Sequence, residues 1–231
     1  MVKNRSSRKQ KDPTPVKLLA VDLTTEQRIL AAARQEFCER GLDGARMQAI
    51  ADRAGVNKAL LHYYFRSKEN LFQVIIHDIA SVIWRQIHND LEARPGTPDL
   101  RSAIKALVSS YIMTFARQPE IPMILIRLLI NRDRNFLPVV QSIIRAIGDE
   151  PKRIFTLFEK ETKAGTIKKV DPVQLIMSVM SMIIITFLSR PIVEVLQQKA
   201  GLSITYDEKF YKARIDFITD MVFDGIKERS K

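Results

Sequence analysis

The residues best suited to bind another molecule lie close together between positions 46 and 68. Within residues 46–65, RMQAIADRAGVNKALLHYYF, two short apolar stripes are separated by Gly55. Glycine adopts a positive φ at little steric cost, so this spacing predicts two helices joined by a tight turn. Ala51, four residues earlier, leaves room for the helices to cross closely. The second helix would keep Lys58, His62 and Tyr63 available outside, as a helix that enters the major groove of DNA does.

Neighbouring segments are expected to hold these two helices in place. Residues 24–41 begin with a capping box and end in glycine, which predicts a first helix. Charged residues such as Glu36 are expected outside the apolar stripe of that helix. The small core shared by the three helices is expected to contain Ile50, Ala54, Val56, Leu61 and Tyr64. Ser67 would cap a fourth helix, whose apolar face continues over residues 71–83.

In this order, the sequence pieces AGV, LL, YYF and SKENL make residues 25–76 resemble the tetracycline-repressor (TetR) family of bacterial regulators. Further residues that carry the resemblance are Ile29, Leu30, Phe37, Gly41, Met47, Ile50 and Ala51. The resemblance implies an N-terminal three-helix helix-turn-helix domain that binds double-stranded operator DNA. Beyond this stretch the chain is similar to the family only in its length and helical character.

The resemblance implies roles for the positions that match the motif. The expected DNA-binding residues are Arg46, Gln48, Asn57, Lys58, Ala59, His62, Tyr63 and Lys68. Asn57 would cap the recognition helix, and the cationic and aromatic residues that follow it would contact phosphates or bases. Lys68 would bind phosphate together with the N-terminal amides of its helix. The two residues at the start of the second helix could reach a phosphate or a base.

Three positions depart from the family pattern. Arg46 stands where serine or threonine is usual, so the second helix needs a cap from Asp43 or another neighbour. Ala59 stands where glycine is common, which changes how closely the backbone approaches DNA. His62 occupies a position usually held by tyrosine, with Tyr63 beside it. These departures bear on which side chain meets which phosphate.

The charge of the chain favours a polyanionic partner. The net charge is +11, and residues 1–70 contain 14 Lys and Arg against 8 Asp and Glu. Residues 1–22 are expected to be a disordered basic arm, which is either a solvated tail or a segment that follows DNA. Cys38 is the one cysteine, so no internal disulfide points to secretion. The apolar run 175–188 is too short to span a bilayer, and a cytoplasmic protein without a membrane partner is expected.

The remaining sequence predicts a larger helical domain that dimerises and binds a small effector. Long apolar helices at 171–199, kinked at Pro191, and at 207–229 are candidates for the homodimer interface, with burial inside one chain as the alternative. Effector-pocket candidates, each also readable as plain core, are Trp84, Tyr111, Phe115, Met123, Arg127, Phe155, Phe158, Met177 and Met180. Arg127 lies among apolar residues and needs either an internal carboxylate or an anionic ligand.

We therefore expect an all-α protein of about nine helices that is not an enzyme. Its parts would be a basic arm (1–22), a helix-turn-helix domain (23–83) and an effector-binding and dimerisation domain (84–231). No phosphate loop, nucleophile motif or metal-ligand spacing is present, so no catalytic residue, metal or cofactor is expected. The expected function is that of a bacterial transcriptional regulator, a repressor released from its operator by an unidentified small molecule. The alternative is control by a protein partner or by membrane association.

Overall fold

The computed structural model describes residues 24–93, 98–131, 136–201 and 203–227. Within these ranges the chain is helical, and its β structure consists of one isolated bridge between Ile167 and Lys227. The helices are α1 (Thr25–Gly44), α2 (Met47–Ala54), α3 (Lys58–Phe65), α4 (Lys68–Glu92), α5 (Leu100–Arg117), α6 (Glu120–Asn131), α7 (Phe136–Ile147), α8 (Glu150–Lys163), α9 (Pro172–Leu188), α10 (Arg190–Ala200) and α11 (Glu208–Ile226). The predicted basic arm, residues 1–22, lies outside the described residues.

The all-α prediction is confirmed, and the described residues contain eleven helices where about nine were expected. The segment 136–163 forms two helices because Gly148, at φ +54°, ends α7. The long helix expected at 171–199 is broken at Ser189, and Pro191 lies in the first turn of α10. A proline in the first helical turn sacrifices no hydrogen bond, so a new helix there is favoured over a kinked continuous one.

Helices α1 to α3 form a small unit around a shared apolar core. The capping box that begins α1 is present, with the Thr24 hydroxyl accepting from the Gln27 amide at 3.2 Å. Ile29, Ala33 and Phe37 are buried on its inner face. The ring of Phe37 meets that of Phe72 edge-on, with centroids 4.9 Å apart, so α1 is packed directly against α4.

Helix α4 links the N-terminal unit to the larger bundle. It has 25 residues, and its buried side chains extend from Leu71 to Leu91. Its main packing partners are α5 and α7, while its first turns contact α1 and α3. The expected domain boundary after residue 83 therefore falls inside a continuous helix, which both parts of the molecule share.

Two predictions about the N-terminal core are wrong. Tyr64 is 44% exposed, and Phe65, at 6%, occupies the core instead. Phe65 lies four residues after buried Leu61 and hence on the same face of the helix, whereas Tyr64 is turned to the side. Glu36, expected outside the stripe, is only 1% exposed. Its burial is explained by the polar groups around it, which are described below.

Among the described residues, no single helix is both long and apolar enough to cross a membrane. The pair α9 and α10, bent by 55° at their junction, meets the length and composition requirement only when the two helices are taken together.

Candidate nucleic-acid interface

The turn between α2 and α3 depends on the backbone freedom of Gly55. Its φ of +66° and ψ of +38° lie in the left-handed region. The Gly55 amide donates to the Asp52 carbonyl at 3.2 Å, and the Val56 amide donates to the Ala51 carbonyl at 3.0 Å. A Cβ at position 55 would meet nothing within 4 Å. Glycine is therefore favoured here by its dihedral angles and not by lack of space.

Helix α3 presents two opposite faces. Asn57 caps it as predicted, with its side-chain oxygen accepting from the Leu60 amide at 2.6 Å. Leu61 and Phe65 fix the inner face in the core. The outer face carries Lys58, Ala59, His62 and Tyr63, all exposed, with Tyr63 at 80%. A short helix whose inner face is anchored and whose outer face is polar and aromatic has the form of a helix that enters the major groove.

One ring nitrogen of His62 is held by the backbone. Nδ1 lies 2.9 Å from the carbonyl oxygen of Arg66. A carbonyl can only accept, so Nδ1 carries the hydrogen and donates it. In the neutral ring, Nε2 is then an acceptor on the exposed side. A tyrosine hydroxyl can both donate and accept, so histidine would offer a different hydrogen-bonding group at the position where the sequence predicts a DNA contact.

The start of α2 is capped by Glu36 instead of Asp43. Arg46 occupies the cap position, but its side chain makes no capping bond. Its backbone amide donates to Oε1 of Glu36 at 3.4 Å. The same carboxylate is 3.3 Å from Arg40 and 3.7 Å from Arg53. This buried carboxylate thus connects α1 with both ends of α2 and leaves the Arg46 side chain exposed.

The remaining polar residues of α2 have partners on the surface. Gln48 donates from Nε2 to the Asp52 carboxylate at 2.8 Å. Arg53 forms two hydrogen bonds to Glu39, of 3.0 and 2.9 Å, and they lower the pKa of the Glu39 carboxyl below its usual value. Gln48 would have to exchange its partner in order to read a base.

The Lys68 side chain has a structural role that the sequence did not predict. Its ammonium group donates to the carbonyls of Leu42 at 2.8 Å and Asp43 at 2.9 Å, and Ala45 is 3.5 Å away. A cation at the C-terminal end of a helix satisfies carbonyls that have no partner within the helix. In this structure the ammonium therefore fastens α4 to the end of α1 instead of facing solvent. The α4 amides, capped by Ser67, remain the predicted phosphate contact.

The predicted effector-pocket residues are dispersed over the larger bundle. Tyr111 and Met180 line an apolar cavity of about 200 Å³ between α4, α5, α6, α7 and α9. Phe155 and Phe158 line a separate hollow of about 40 Å³ between α5, α8 and α9. Phe115 is a core residue whose ring meets those of Tyr111 and Phe187. The structure thus does not bring these candidates together in one pocket.

Three other candidates lie outside the larger cavity. Met123 is 38% exposed and Met177 59% exposed, so both are surface residues of this chain. Trp84 is largely buried, and its indole N–H can only donate, so it donates to the phenol oxygen of Tyr111. Burial raises the pKa of Tyr111 to about 12, although this hydrogen bond acts in the opposite direction. The phenol is therefore neutral at physiological pH and keeps its own hydrogen to donate.

Among the described residues, Arg127 forms no ion pair with a carboxylate. Its Nη2 is 3.5 Å from the Glu39 carbonyl, and its guanidinium lies beside the break at Gly41, where α1 has φ +68°. Its Nε is buried and lacks a hydrogen-bond partner among the described residues. Arg127 therefore connects α6 of the larger bundle to the C-terminal end of α1.

Comparisons with known proteins agree with this architecture. Residues 29–75 match the family model for bacterial regulatory proteins of the tetR family. Over 201 residues the chain is 25% identical to the HTH-type transcriptional regulator RutR of Escherichia coli (strain K12), covering 87% of this chain and 90% of RutR. It is 36% identical to the HTH-type transcriptional repressor NicS of Pseudomonas putida over 104 residues, 44% of this chain and 46% of NicS. The fold is similar to that of the fatty acid degradation regulator FadR from Bacillus halodurans, with a TM-score of 0.63 and 14% identity, covering 87% of this chain and 98% of FadR.

Proposed function

We propose that this chain is a DNA-binding transcriptional regulator of the TetR family, which represses transcription as a homodimer until a small apolar molecule releases it from its operator. The observation that supports this proposal is the character of the outer face of α3. It is exposed, cationic and aromatic, although the opposite face of the same eight residues is buried. We assign residues 23–83 to the reader, the DNA-binding unit, and residues 84–231 to the sensor, with α4 common to both.

In the reader, we assign the direct contacts to the exposed residues of α2 and α3. Lys58 and Tyr63 would contact phosphates or base edges, and Ala59 would set how closely the α3 backbone approaches the groove. His62 would accept a hydrogen bond through Nε2. Arg46, freed from capping by Glu36, would reach a phosphate at the start of α2.

Dimerisation is supported by two exposed apolar stripes. On α9 the stripe consists of Val173, Met177, Ser181 and Ile185, and on α11 of Ala213, Phe217, Met221 and Gly225. Positions four residues apart lie on one face of a helix, and these two stripes are on helices that pack against each other. A two-fold axis through them would bury both in a four-helix interface and place two recognition helices one DNA turn apart, roughly 34–36 Å.

The cavity between α4 and α9 is the proposed effector site. Its wall is apolar, and among the described side chains that line it, the Tyr111 hydroxyl is the one hydrogen-bond donor. We therefore propose a small, uncharged, mainly apolar effector with one acceptor atom. A volume of about 200 Å³ lies below the usual range of ligand pockets, so binding would also displace α6 or α7.

Displacement of these helices would reach the reader through two contacts. Helix α6 holds the end of α1 through Arg127, and α7 packs along α4. An effector that binds the displaced state more tightly than the DNA-bound state would lower the affinity for DNA by the ratio of those affinities. We therefore propose that this difference in affinity releases the protein from DNA when the effector binds.

The test is an electrophoretic mobility shift with the DNA that flanks the gene, searched beforehand for an inverted repeat. At low salt we expect specific binding, and we expect the pair Lys58→Ala and Tyr63→Ala to weaken it by about 30- to 100-fold. The matched control is Lys105→Ala, which removes an exposed cation far from α3. Equal loss in both variants would show that only overall charge matters, and undiminished binding by the pair would refute the assignment of α3 as the reading helix.

One observation favours control by a membrane or protein partner as a second candidate. Helix α10 buries none of its residues and exposes Ile192, Val195 and Leu196 together. Sedimentation with anionic liposomes separates the two candidates. Pelleting that is abolished by Ile192→Asp and competes with operator DNA would support membrane control in place of a small effector.

A further inference from the structure

A second cleft lies behind the recognition helix and is separate from the effector cavity. It has a volume of about 480 Å³ and is bounded by the end of α3, one face of α4 and the outer side of α7. Its α4 wall consists of residues 70, 73, 74 and 77, which recur at helical spacing. One wall belongs to the reader and the opposite wall to the sensor. The cleft is large enough for a ligand of drug-like size.

The charged groups of this cleft have one sign. Its lining includes Arg66 and Arg145, and none of the nine described lining residues is acidic. Within the described parts of the chain neither arginine forms an ion pair, whereas Arg53 and Arg153 are both paired with glutamates. Two unpaired guanidinium groups that face one cleft from opposite walls attract an anion.

The Arg145 side chain and the Arg66 backbone are held in position. Arg145 donates from Nη2 to the buried hydroxyl of Ser142 at 3.0 Å. Arg66 has φ +60° and ψ −50°, at the centre of a γ-turn in which the Ser67 amide donates to the Phe65 carbonyl at 2.6 Å. This conformation is rare for a residue with a Cβ. Its carbonyl is also fixed by the hydrogen bond from His62.

The floor of the cleft is apolar. The rings of Tyr64 and Phe65 have centroids 6.1 Å apart, and Val74, 40% exposed, lies on the adjacent face of α4. A ligand seated on this floor therefore buries apolar surface in a cleft that two arginines also line. Planar carboxylates suit guanidinium groups because both oxygens can accept.

We propose that this cleft binds a small aromatic carboxylate, whose ring packs on the exposed side chains of Tyr64 and Val74 and whose anionic group lies between Arg66 and Arg145. The site is distinct from the apolar cavity that we assign to the uncharged effector. Its existence does not depend on whether the protein binds DNA. Because the two arginines belong to different units, the bound anion fixes the reader against α7.

The experiment is isothermal titration calorimetry of the full chain at low salt with 1-naphthoate, and with 1-naphthalenemethanol as the uncharged analogue. We expect naphthoate to bind, and the alcohol to bind at least about tenfold more weakly. Arg145→Gln retains a donor for Ser142 but removes the charge, and it should weaken naphthoate binding by at least about tenfold.

A second variant guards against misfolding. Arg66→Gly removes the other guanidinium and places glycine at a positive φ, so its thermal stability should equal or exceed that of the wild type. Its naphthoate affinity should nevertheless fall at least about tenfold. The proposal would be overturned if the acid and the alcohol bound equally, or if millimolar naphthoate gave no heat. Undiminished binding by both variants would also overturn it, because the ligand would then lie elsewhere.

Discussion

The reader and the sensor both have apolar cores, but they differ in what surrounds those cores. Around α1 and α2 the stabilising groups are directional: Glu36 receives an amide and two arginines, and Lys68 donates to backbone carbonyls. In the sensor the apolar side chains line a partly open cavity of about 200 Å³, and apolar residues of α9, α10 and α11 remain exposed.

This difference fits the two tasks that we propose for the molecule. Polar contacts fix distances and angles, so they suit a surface that must match the grooves of DNA. Apolar contacts are less directional, so a partly filled core can accept a ligand or change its packing. Mutations that remove a polar partner in the reader should therefore lower the free energy of unfolding, whereas mutations that fill the cavity of the sensor should raise it.

The largest expected effect is that of Glu36→Ala. It removes the α2 cap and leaves the Arg46 amide and two arginines without their buried partner. Because Arg40 and Arg53 retain access to solvent, we expect a loss of about 2–3 kcal/mol in the free energy of unfolding, measured in urea.

The matched control for this prediction is Glu39→Ala. Glu39 is bonded to the same Arg53, but its side chain is 54% exposed. Its removal should lower the free energy of unfolding far less than Glu36→Ala does, because solvent screens an exposed ion pair. Similar losses in both variants would mean that the buried carboxylate is no more important than a surface ion pair.

A smaller effect is expected from Gly55→Ala. The left-handed conformation costs a residue with a Cβ about 1–2 kcal/mol, and open space around the position prevents any further penalty. Gly201→Ala is the control, because it has the same φ of +66° and equally open surroundings at the end of α10. Both should lower the unfolding free energy similarly, but only Gly55→Ala should weaken operator binding. Loss of operator binding in both variants would contradict the prediction that only the turn at Gly55 positions α3 for DNA.

The sequence predicted features that depend on neighbours along the chain. The Thr24 capping box, the Asn57 cap and the Gly55 turn are each set within five residues, and each is present. It also predicted the helical class and the stretch that matches the family. These are the features for which helical periodicity and local hydrogen bonding suffice.

The contacts that the sequence did not predict join residues far apart in the chain. Lys68 meets carbonyls 23 to 26 residues earlier, and Arg127 reaches a carbonyl 88 residues earlier. The burial of Glu36 was not predicted, because a charged residue is expected outside an apolar stripe unless its partners are known. Only the fold reveals those partners. One signal was available, namely the non-capping Arg46, which required a carboxylate nearby. Tyr64 was wrongly assigned to the core because the sequence did not show which of the adjacent aromatic residues, Tyr64 or Phe65, faces inward.

Filling the effector cavity should stabilise the sensor. Ala80 lines the cavity, and Ala80→Leu would bury additional apolar atoms there, raising the free energy of unfolding by about 1 kcal/mol after the loss of rotamer freedom. The DNA affinity should be retained, and any effector response should be lost. The control is Ala106→Leu, at a site 2% exposed that lines no described cavity, where overpacking should cost about 1–3 kcal/mol. Destabilisation by both would mean that the space between α4 and α9 cannot accept atoms.

The smallest effect concerns the one polar group of that cavity. Burial raises the pKa of Tyr111 from 10.0 to about 12, so the folded state disfavours the phenolate. The neutral phenol therefore contributes its full stabilisation below pH 10, and this contribution declines as the pH rises from 10 to 12. The difference in unfolding free energy between the wild type and Tyr111→Phe should thus stay constant from about pH 6 to 9 and then shift against the wild type by about 0.8 kcal/mol at pH 10.5. Tyr206 and Tyr211, whose pKa values burial also raises, are present in both proteins and cancel. A difference that already changes below pH 9 would show that solvent reaches Tyr111, and the sensor could not then be the dry, apolar counterpart of the reader.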